Sequence, residues 1–391
     1  MGLAMGGDGI NAFVWAFCGT VVAGLLLLAY MRFESAWFRL AYASLPPTGG
    51  LSASAMEGER IPGVRGAPDA IRLRVGGART PKGRKAGHIR VLHISDVHVG
   101  QLGVGMGRIN GAIRRADPDM IAFTGDYIEK AEECGRFIRF MGMVGFGGPI
   151  FLCMGNHDHK AFHGQARRQR GGSAASAASA SPARPGAPAI PAGLGAILDG
   201  ACEAACGDGG CEGMRGFAEG IARAKPNAAV LTNGTETLHY DVRSGGWAEG
   251  PGEGVCAVSV TGFDDLRAGK MDAAKGLASR DMGADVRLAM AHNPDAVLGL
   301  PEKAFDYILS GHFHAGQIWT PFHLEYRMLR RERLSKMNVR KGLFGFPAGL
   351  LYISAGIGCV KVPLRFLARP EISVLDVPLP EADPARLNRR P

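Results

Sequence analysis

The chain of 391 residues carries 45 Lys and Arg against 36 Asp and Glu, a formal charge of +9, with 46% hydrophobic residues and a pI near 9.3. That apolar content excludes a disordered polyelectrolyte, and 58 glycines without a Gly-X-Y period exclude collagen. The positive surplus favours anionic partners, among them phosphate esters, lipid headgroups and nucleic acid, without choosing between them.

Ala12–Met31 contains no charged residue and includes the run Leu25–Leu28. As a helix it would span about 30 Å, the thickness of a bilayer's hydrocarbon core. A cleaved signal peptide is the competing reading, with Ala41-Tyr42-Ala43 as its cleavage site. The segment lacks a basic n-region and exceeds a usual h-region, so residues 1–32 are expected to be a retained single-pass anchor. No Lys or Arg precedes it, whereas Arg32 and Arg39 follow. The positive-inside rule therefore puts the bulk of the chain on the cytoplasmic side.

Residues 33–87 read as a linker with a lead-in strand near Ile71–Val75. Strands are then expected at Ile89–Ser95, Met120–Thr124, Ile150–Met154, Ala229–Leu231, Leu238–Val242 and Val255–Thr261. Further strands follow at Val286–Ala291, Phe305–Leu309, Leu351–Ser354 and Ile372–Val377, with a helix at Arg108–Ala116. Strands interleaved with helices predict mixed or parallel α/β sheets covered by helices. Residues 165–213 interrupt this pattern with an Arg-rich turn, an Ala/Ser/Gly/Pro run and a cysteine cluster. Such composition buries too little to offset ordering entropy, so a low-complexity surface insertion is expected there. Residues 379–391 read as a flexible tail, leaving one domain over 88–378.

The eight cysteines form no compact framework. Cys202, Cys206 and Cys211 cluster at a spacing that fits no zinc or iron–sulfur pattern, and a local thiol or disulfide role stays open.

Five fragments carry the chemistry: Asp96-Val97-His98, Gly125-Asp126, Gly155-Asn156-His157-Asp158, His292-Asn293 and Gly311-His312-Phe313-His314. Each follows an expected strand, where open α/β folds hold their ligands. Carboxylate, amide oxygen and neutral imidazole together suit divalent Mn, Fe or Zn.

The ordered series D-x-H, GD, GNHD, H and GHxH resembles the calcineurin-like metallophosphoesterase superfamily. Asp117-Pro118-Asp119, Phe123–Tyr127, Thr261–Asp265, His292–Asp295 and Gly311–Gln317 are similar to its bacterial membrane-anchored or exported phosphodiesterase subgroup. The likeness covers residues 88–164 and 214–378. Phe313 and Ala315 stand where that subgroup usually has Thr and Gly, which leaves every ligand position filled but could reshape the substrate pocket. The resemblance implies a four-layer α/β/β/α sandwich and two divalent metal ions. Asp96, His98 and His314 would hold one metal and Asn156, His292 and His312 the other, with Asp126 bridging. Metal-activated water would then attack phosphorus. His157 would remain free to stabilise developing charge or protonate the leaving oxygen. Asp158 is a candidate to orient that imidazole. Asn293 is read either as a phosphate contact or as a turn-stabilising side chain. His159 and His163 are expected to be surface histidines, and His93 to pack or face solvent.

Between Arg327 and Lys341 lie seven basic residues against Glu332 alone, interleaved with Met328, Leu329, Leu334, Met337 and Val339. Such a basic amphipathic stretch can lie on an anionic membrane surface. Arg330, Arg331 and Arg333 are its candidate contacts to a phosphate-ester, lipid-linked substrate. Members of the resembled subgroup cleave UDP-2,3-diacylglucosamine, the pyrophosphate intermediate of lipid A synthesis, and that substrate would suit the anchor. A general phosphodiesterase, a nuclease and an inactive metal-binding module are the alternatives. No alternation of basic and aromatic residues suggests stacked bases, so nucleic acid is not an expected partner.

Overall fold

The computed structural model describes residues 7–48, 58–63, 67–73, 87–171 and 210–380. Two sheets account for its strands. In the first, β4 (His88–Ile94), β5 (Met120–Thr124), β6 (Ile150–Cys153) and β7 (Ala228–Val230) run parallel. On the outer side of β4 lies antiparallel β15 (Glu371–Pro378), followed by β1 (Arg39–Ser44). The second sheet has a parallel centre of β14 (Gly349–Ile353), β12 (Tyr307–Ser310), β11 (Val286–Met290) and β10 (Val255–Gly262). Its flanks are antiparallel: β8 (Gly234–Asp241) and β9 (Gly246–Ala248) on one side, β13 (Gly342–Phe346), β3 (Ala70–Leu73) and β2 (Glu59–Ile61) on the other.

Alternation along each strand sorts its side chains onto two faces. In β4, Leu92 and Ile94 face the helices α2 (Met106–Ala116), α3 (Cys134–Gly142) and α5 (Gly210–Ala224), joining Ile109, Phe137 and Phe217 in one core. Ile89 and Val91 face the other way, where Ala122 and Phe151 meet Val258, Leu288 and Met290 of the second sheet. A third core lies beyond that sheet, where Ala289, Ile308 and Leu351 meet Val297, Leu334 and Met337. The layers are therefore α/β/β/α. Because both sheets are covered on both faces, their central strands read as continuous apolar runs.

Helix α1 (Gly7–Ala36) includes a 23-residue stretch, Val14–Ala36, that is long and apolar enough to cross a membrane. Most of its side chains from Trp15 to Tyr30 are exposed, and the last turn is then built into the domain. The Met31 carbonyl accepts from Arg365 N–H, and the buried Glu34 carboxylate accepts from Leu367 and Ala368 N–H at 3.0 Å each.

Several expected boundaries shift. The helix runs past residue 32, and residues 33–87 supply β1, β2 and β3 in place of a linker with one lead-in strand. Arg39 pairs with the buried Glu371 and so ties β1 to β15, a long-range contact that local composition does not announce. Arg74 and Val75 lie outside the described residues. The insertion is flanked more closely than expected, because α4 (Asn156–Gly171) extends into it and α5 begins at Gly210. Residues 172–209, with Cys202 and Cys206, lie outside the described residues, as do 381–391 of the tail. Leu379 is buried, and its N–H donates to the Gly87 carbonyl.

Replacing Glu34 with Ala would leave two N–H groups without an acceptor, at a cost of about 3 kcal/mol. The Glu34→Ala chain in detergent should accordingly unfold at lower temperature. An unchanged melting curve would mean that the helix end is not packed into the domain.

Candidate metal centre

Every strand that carries a candidate ends in the same cleft. Asp96 and His98 follow β4, Asp126 follows β5, Asn156 and His157 follow β6, His292 follows β11, and His312 and His314 follow β12. The backbone there is strained. Asp96, His98, Asp126, His312 and His314 all have positive φ, from 38° to 74°, a region that non-glycine residues adopt at a cost. Gly125 has φ 75°, and a Cβ on it would meet Gly155 and Nδ1 of His292 at 2.7 Å, so glycine is required.

The cluster is buried and rich in acid. Donor atoms of Asp96, His98, Asp126 and His314 lie within 4.8 Å of one another, as do those of Asp126, His292 and His312. Asp126 belongs to both groups, with Oδ2 3.1 Å from Nε2 of His292 and 3.7 Å from Nε2 of His98. His314 Nε2 lies 3.1 Å from Asp96, and Nδ1 of His312 lies 3.1 Å from Nε2 of His292. The Asn156 side-chain amide has one end 2.9 Å from Nδ1 of His312. Thus the structure brings together all seven candidate ligands.

The chemistry of the donors fits divalent cations. His98 is fully buried, yet neither ring nitrogen has a hydrogen-bond partner among the described residues, an arrangement that calls for a bound group. Burial holds the His98 pKa well below its ordinary value, and neutral imidazole is the ligating form. Burial opposes ionisation of Asp96 and Asp126, but neighbouring histidines hold both carboxyls below the usual range. Burial likewise opposes a charged His292, but Asp126 raises it to about 10. Negative charge thus accumulates at one point inside the protein, where bound cations would neutralise it.

Other groups orient the rings. His292 Nδ1 lies 2.8 Å from the Thr124 carbonyl, which leaves Nε2 toward the cluster. His312 Nε2 lies 3.2 Å from Glu332, whose pKa burial raises but His312 brings down to about 2, and Glu332 also pairs with Arg267 at 3.0 Å. Sequence reasoning missed Glu332, although it was the lone acid in a basic run. It also missed Glu129, which lies 3.5 Å from Nδ1 of His98 and groups with His98 and His157.

His157 sits at the rim with its ring centroid 5.1 Å from that of His98, and its N–H donates to Asp126 at 2.8 Å. Burial lowers its pKa. Asp158 makes different contacts from those expected: its carboxylate accepts the backbone N–H groups of Asp126, Tyr127, Ile128 and Gly155 at 2.8–3.1 Å. It fastens the two ligand loops to each other through their backbones. Burial and Asp126 raise it to about 7.

His159 is not a surface histidine. It is buried, 2.5 Å from Asp264, because the first turn of α4 packs against the loop after β10. His163 is exposed, and His93 is buried against the Thr124 hydroxyl at 2.7 Å. Asn293 Oδ1 accepts from Asp295 N–H, a turn-stabilising contact, while its buried Nδ2 has no partner among the described residues. Arg330 lies over Phe313, 5.8 Å from its ring, and thus adjoins His312 and His314. Arg331 is exposed, whereas Arg333 is held through its backbone N–H by Asp295 at 2.7 Å. The basic stretch is not one amphipathic helix. Leu334, Met337 and Val339 enter the third core, and only Met328 and Leu329 of its interleaved apolar residues are exposed.

Comparisons agree with this geometry. A family model described as calcineurin-like phosphoesterase matches residues 89–316. The uncharacterized metallophosphoesterase YkoQ of Bacillus subtilis is 23% identical over 288 residues, covering 73% of this chain and 82% of its own length. The UDP-2,3-diacylglucosamine pyrophosphatase LpxG of Chlamydia muridarum is 25% identical over 324 residues, covering 79% and 89%.

Glu332→Gln should weaken metal binding by about 10–100-fold, because the His312 ring loses its anionic partner. Titrating metal-stripped protein with Mn, and reading bound metal directly, tests this without turnover; unaltered affinity would remove Glu332 from any orienting role.

Proposed function

Because the chain belongs to the calcineurin-like phosphoesterase family, we propose that it hydrolyses a phosphodiester or pyrophosphate bond of a lipid-linked substrate at a two-metal centre. Carrying this reading is the double membership of Asp126, a single buried carboxylate shared by two separate groups of donors. Asp96, His98, Asp126 and His314 would hold one cation, and Asp126, Asn156, His292 and His312 the other. A bound pair of Mn, Fe or Zn ions would polarise phosphoryl oxygens and lower the pKa of water between them.

The chain's own residues supply the rest. His157, at the rim, would donate a hydrogen bond to a phosphoryl oxygen or a proton to the leaving oxygen. Glu332 and the Thr124 carbonyl hold the ligand rings in one tautomer each, and Asp158 holds the Asp126 and Gly155 backbones in register. Arg330, over Phe313, would meet the substrate's phosphate on the side of the exposed Met328 and Leu329. Asn293 Nδ2, still without a partner among the described residues, is a further candidate donor.

Three observations support a lipid-linked substrate over a soluble one. Helix α1 is long and apolar enough to span a bilayer, and its last turn is rigidly joined to the domain. The exposed apolar pair Met328 and Leu329 adjoins Arg327, Arg330 and Arg331. The third is the 25% identity to a relative named as a UDP-2,3-diacylglucosamine pyrophosphatase, which makes a nucleotide-diphosphate lipid our preferred substrate class. In the organisation we propose, a single-pass anchor precedes one catalytic domain over 88–378, whose two sheets are extended by β1, β2 and β3 of residues 33–87. Arg32 and Arg39 beside the anchor favour the cytoplasmic face.

Full-length protein loaded with Mn in nonionic detergent should hydrolyse a chromogenic phosphodiester and a nucleotide-diphosphate lipid, and it should spare single-stranded DNA. No hydrolysis of any phosphate ester with Mn, Fe or Zn would refute the enzyme reading, and diester activity without lipid turnover would refute the lipid substrate. Asp126→Ala should bind less than one metal per chain and lose activity. By contrast, His157→Ala should retain both metals and lose about 10²–10⁴-fold in kcat. Metal loss in His157→Ala would instead make it a ligand.

A further inference from the structure

A cavity of about 470 Å³ opens at the foot of helix α1. Its wall carries Arg39, Arg72, Arg340, Lys341 and Arg369 against Glu34 and Glu325. None of the seven candidate metal ligands lines it. From the loop that carries His312 and His314, Ala315 reaches its wall, so the cavity lies behind the metal centre.

The acids at this cavity are already engaged. Glu34 accepts from the Leu367 and Ala368 N–H groups, and Glu325 accepts from Thr320 and faces His323 at 3.0 Å. Arg39 and Lys341 share one oxygen of Glu371, at 2.8 Å each. Arg369 donates to the carbonyls of Trp37 and Phe38. Arg340 gives Nε to the Ser335 carbonyl and stacks 4.2 Å from the Tyr326 ring. Its buried Nη1 has no partner among the described residues. Burial lowers the pKa values of Lys341, Arg340 and Arg369; Glu371 opposes this at Lys341, Tyr326 and Glu325 oppose it at Arg340, and neighbouring cations add to it at all three. Arg72 pairs with Glu59 at 3.3 Å. Five cations against Glu34, Glu59, Glu325 and Glu371 leave a surplus of one positive charge, which suits a singly charged phosphate diester whose oxygens match guanidinium forks.

The rim differs from the wall. Trp319 and Leu367 are 39% and 60% exposed at the cavity, and Phe322, the chain neighbour of the lining residue His323, is 81% exposed. On the helix side, Phe33 and Trp37 are 57% and 45% exposed. Glu34 of the wall belongs to helix α1 itself, three residues beyond Met31, so the cavity stands where that helix would leave a bilayer. A free phosphate would need the cations but not an apolar rim.

We propose that this cavity binds the phosphate-bearing headgroup of an anionic membrane lipid, with Trp319, Phe322 and Leu367 set among its acyl chains. The site is separate from the substrate-cleaving centre and fixes how the domain sits on the membrane. It rests on α1 being a membrane anchor, and it requires no turnover.

The test is a binding titration of full-length protein in nonionic detergent, followed by tryptophan emission. Short-chain phosphatidylglycerol should give a saturable shift that phosphatidylcholine of equal chain length does not, and Trp319→Phe should diminish it, Trp37 at the same rim supplying the remainder. The Arg72→Gln/Arg340→Gln pair should weaken the binding by about thirtyfold, each removed charge contributing roughly 1 kcal/mol. Circular-dichroism melting checks that the variant is folded. Should the pair not fold, Arg72→Gln alone, which removes a partly exposed side chain, should weaken binding about fivefold. An equal shift with phosphatidylcholine, a shift undiminished by Trp319→Phe, or undiminished affinity in the folded variants would overturn the proposal. The same shift with inorganic phosphate would assign the cavity to a free anion and overturn the lipid. Because no substrate is cleaved, failure here leaves the phosphoesterase reading untouched.

Discussion

Two carboxylates, Asp96 and Asp126, are buried side by side with no Lys or Arg among their hydrogen-bond partners in the described residues, and the cleft is organised around that fact. Charges taken out of water must be matched, and here the matching comes from histidine rings that offer lone pairs to cations as readily as protons to carboxylates. The His292 ring shows the tension: Asp126 raises it far above an ordinary histidine although it is fully buried. A cation-loaded centre resolves the same imbalance with greater charge.

Holding that arrangement requires rigid support around it. Left-handed backbone at five of the seven candidate ligands persists because β4, β5 and β12 end in fully packed layers. Asp158 binds the Asp126 loop to the Gly155 turn through four N–H groups, and Glu332 reaches back to His312 from the segment between the short helices Leu324–Leu329 and Arg333–Lys336. Arg365, fully buried, donates to the carbonyls of His314, Ala355 and Gly358 and thereby stiffens the loop behind His314. The metal centre, the basic segment and the end of helix α1 are thus mechanically linked through residues 312–369.

That link gives the surface around α1 its meaning. Leu367 and Ala368 hold Glu34, while Leu367 is also exposed at the rim of the basic cavity. An anchor joined by a swivelling linker would leave the domain's orientation undefined. Here the last helical turn and strand β1 are part of the fold, so a membrane-spanning α1 would turn one edge of the domain toward the membrane.

The clustering of the seven candidate ligands was legible in the sequence, because each sits shortly after an apolar strand. The central strands were legible too, since burial on both faces writes a continuous apolar run. Pairings between distant segments were not legible. Strand β1 is identified by its register against β15, Glu332 by its meeting with His312, and the burial of His159 by Asp264, more than a hundred residues further along. Asp158 misled for the same reason: its neighbour in sequence is His157, but its four partners are backbone groups that only the folded loops bring within reach. Composition and local periodicity determine which residues can bury and which can ligate. Which buried acid meets which ring, and which cations share a cavity, is decided by chain closure over long separations, where local preference carries no information.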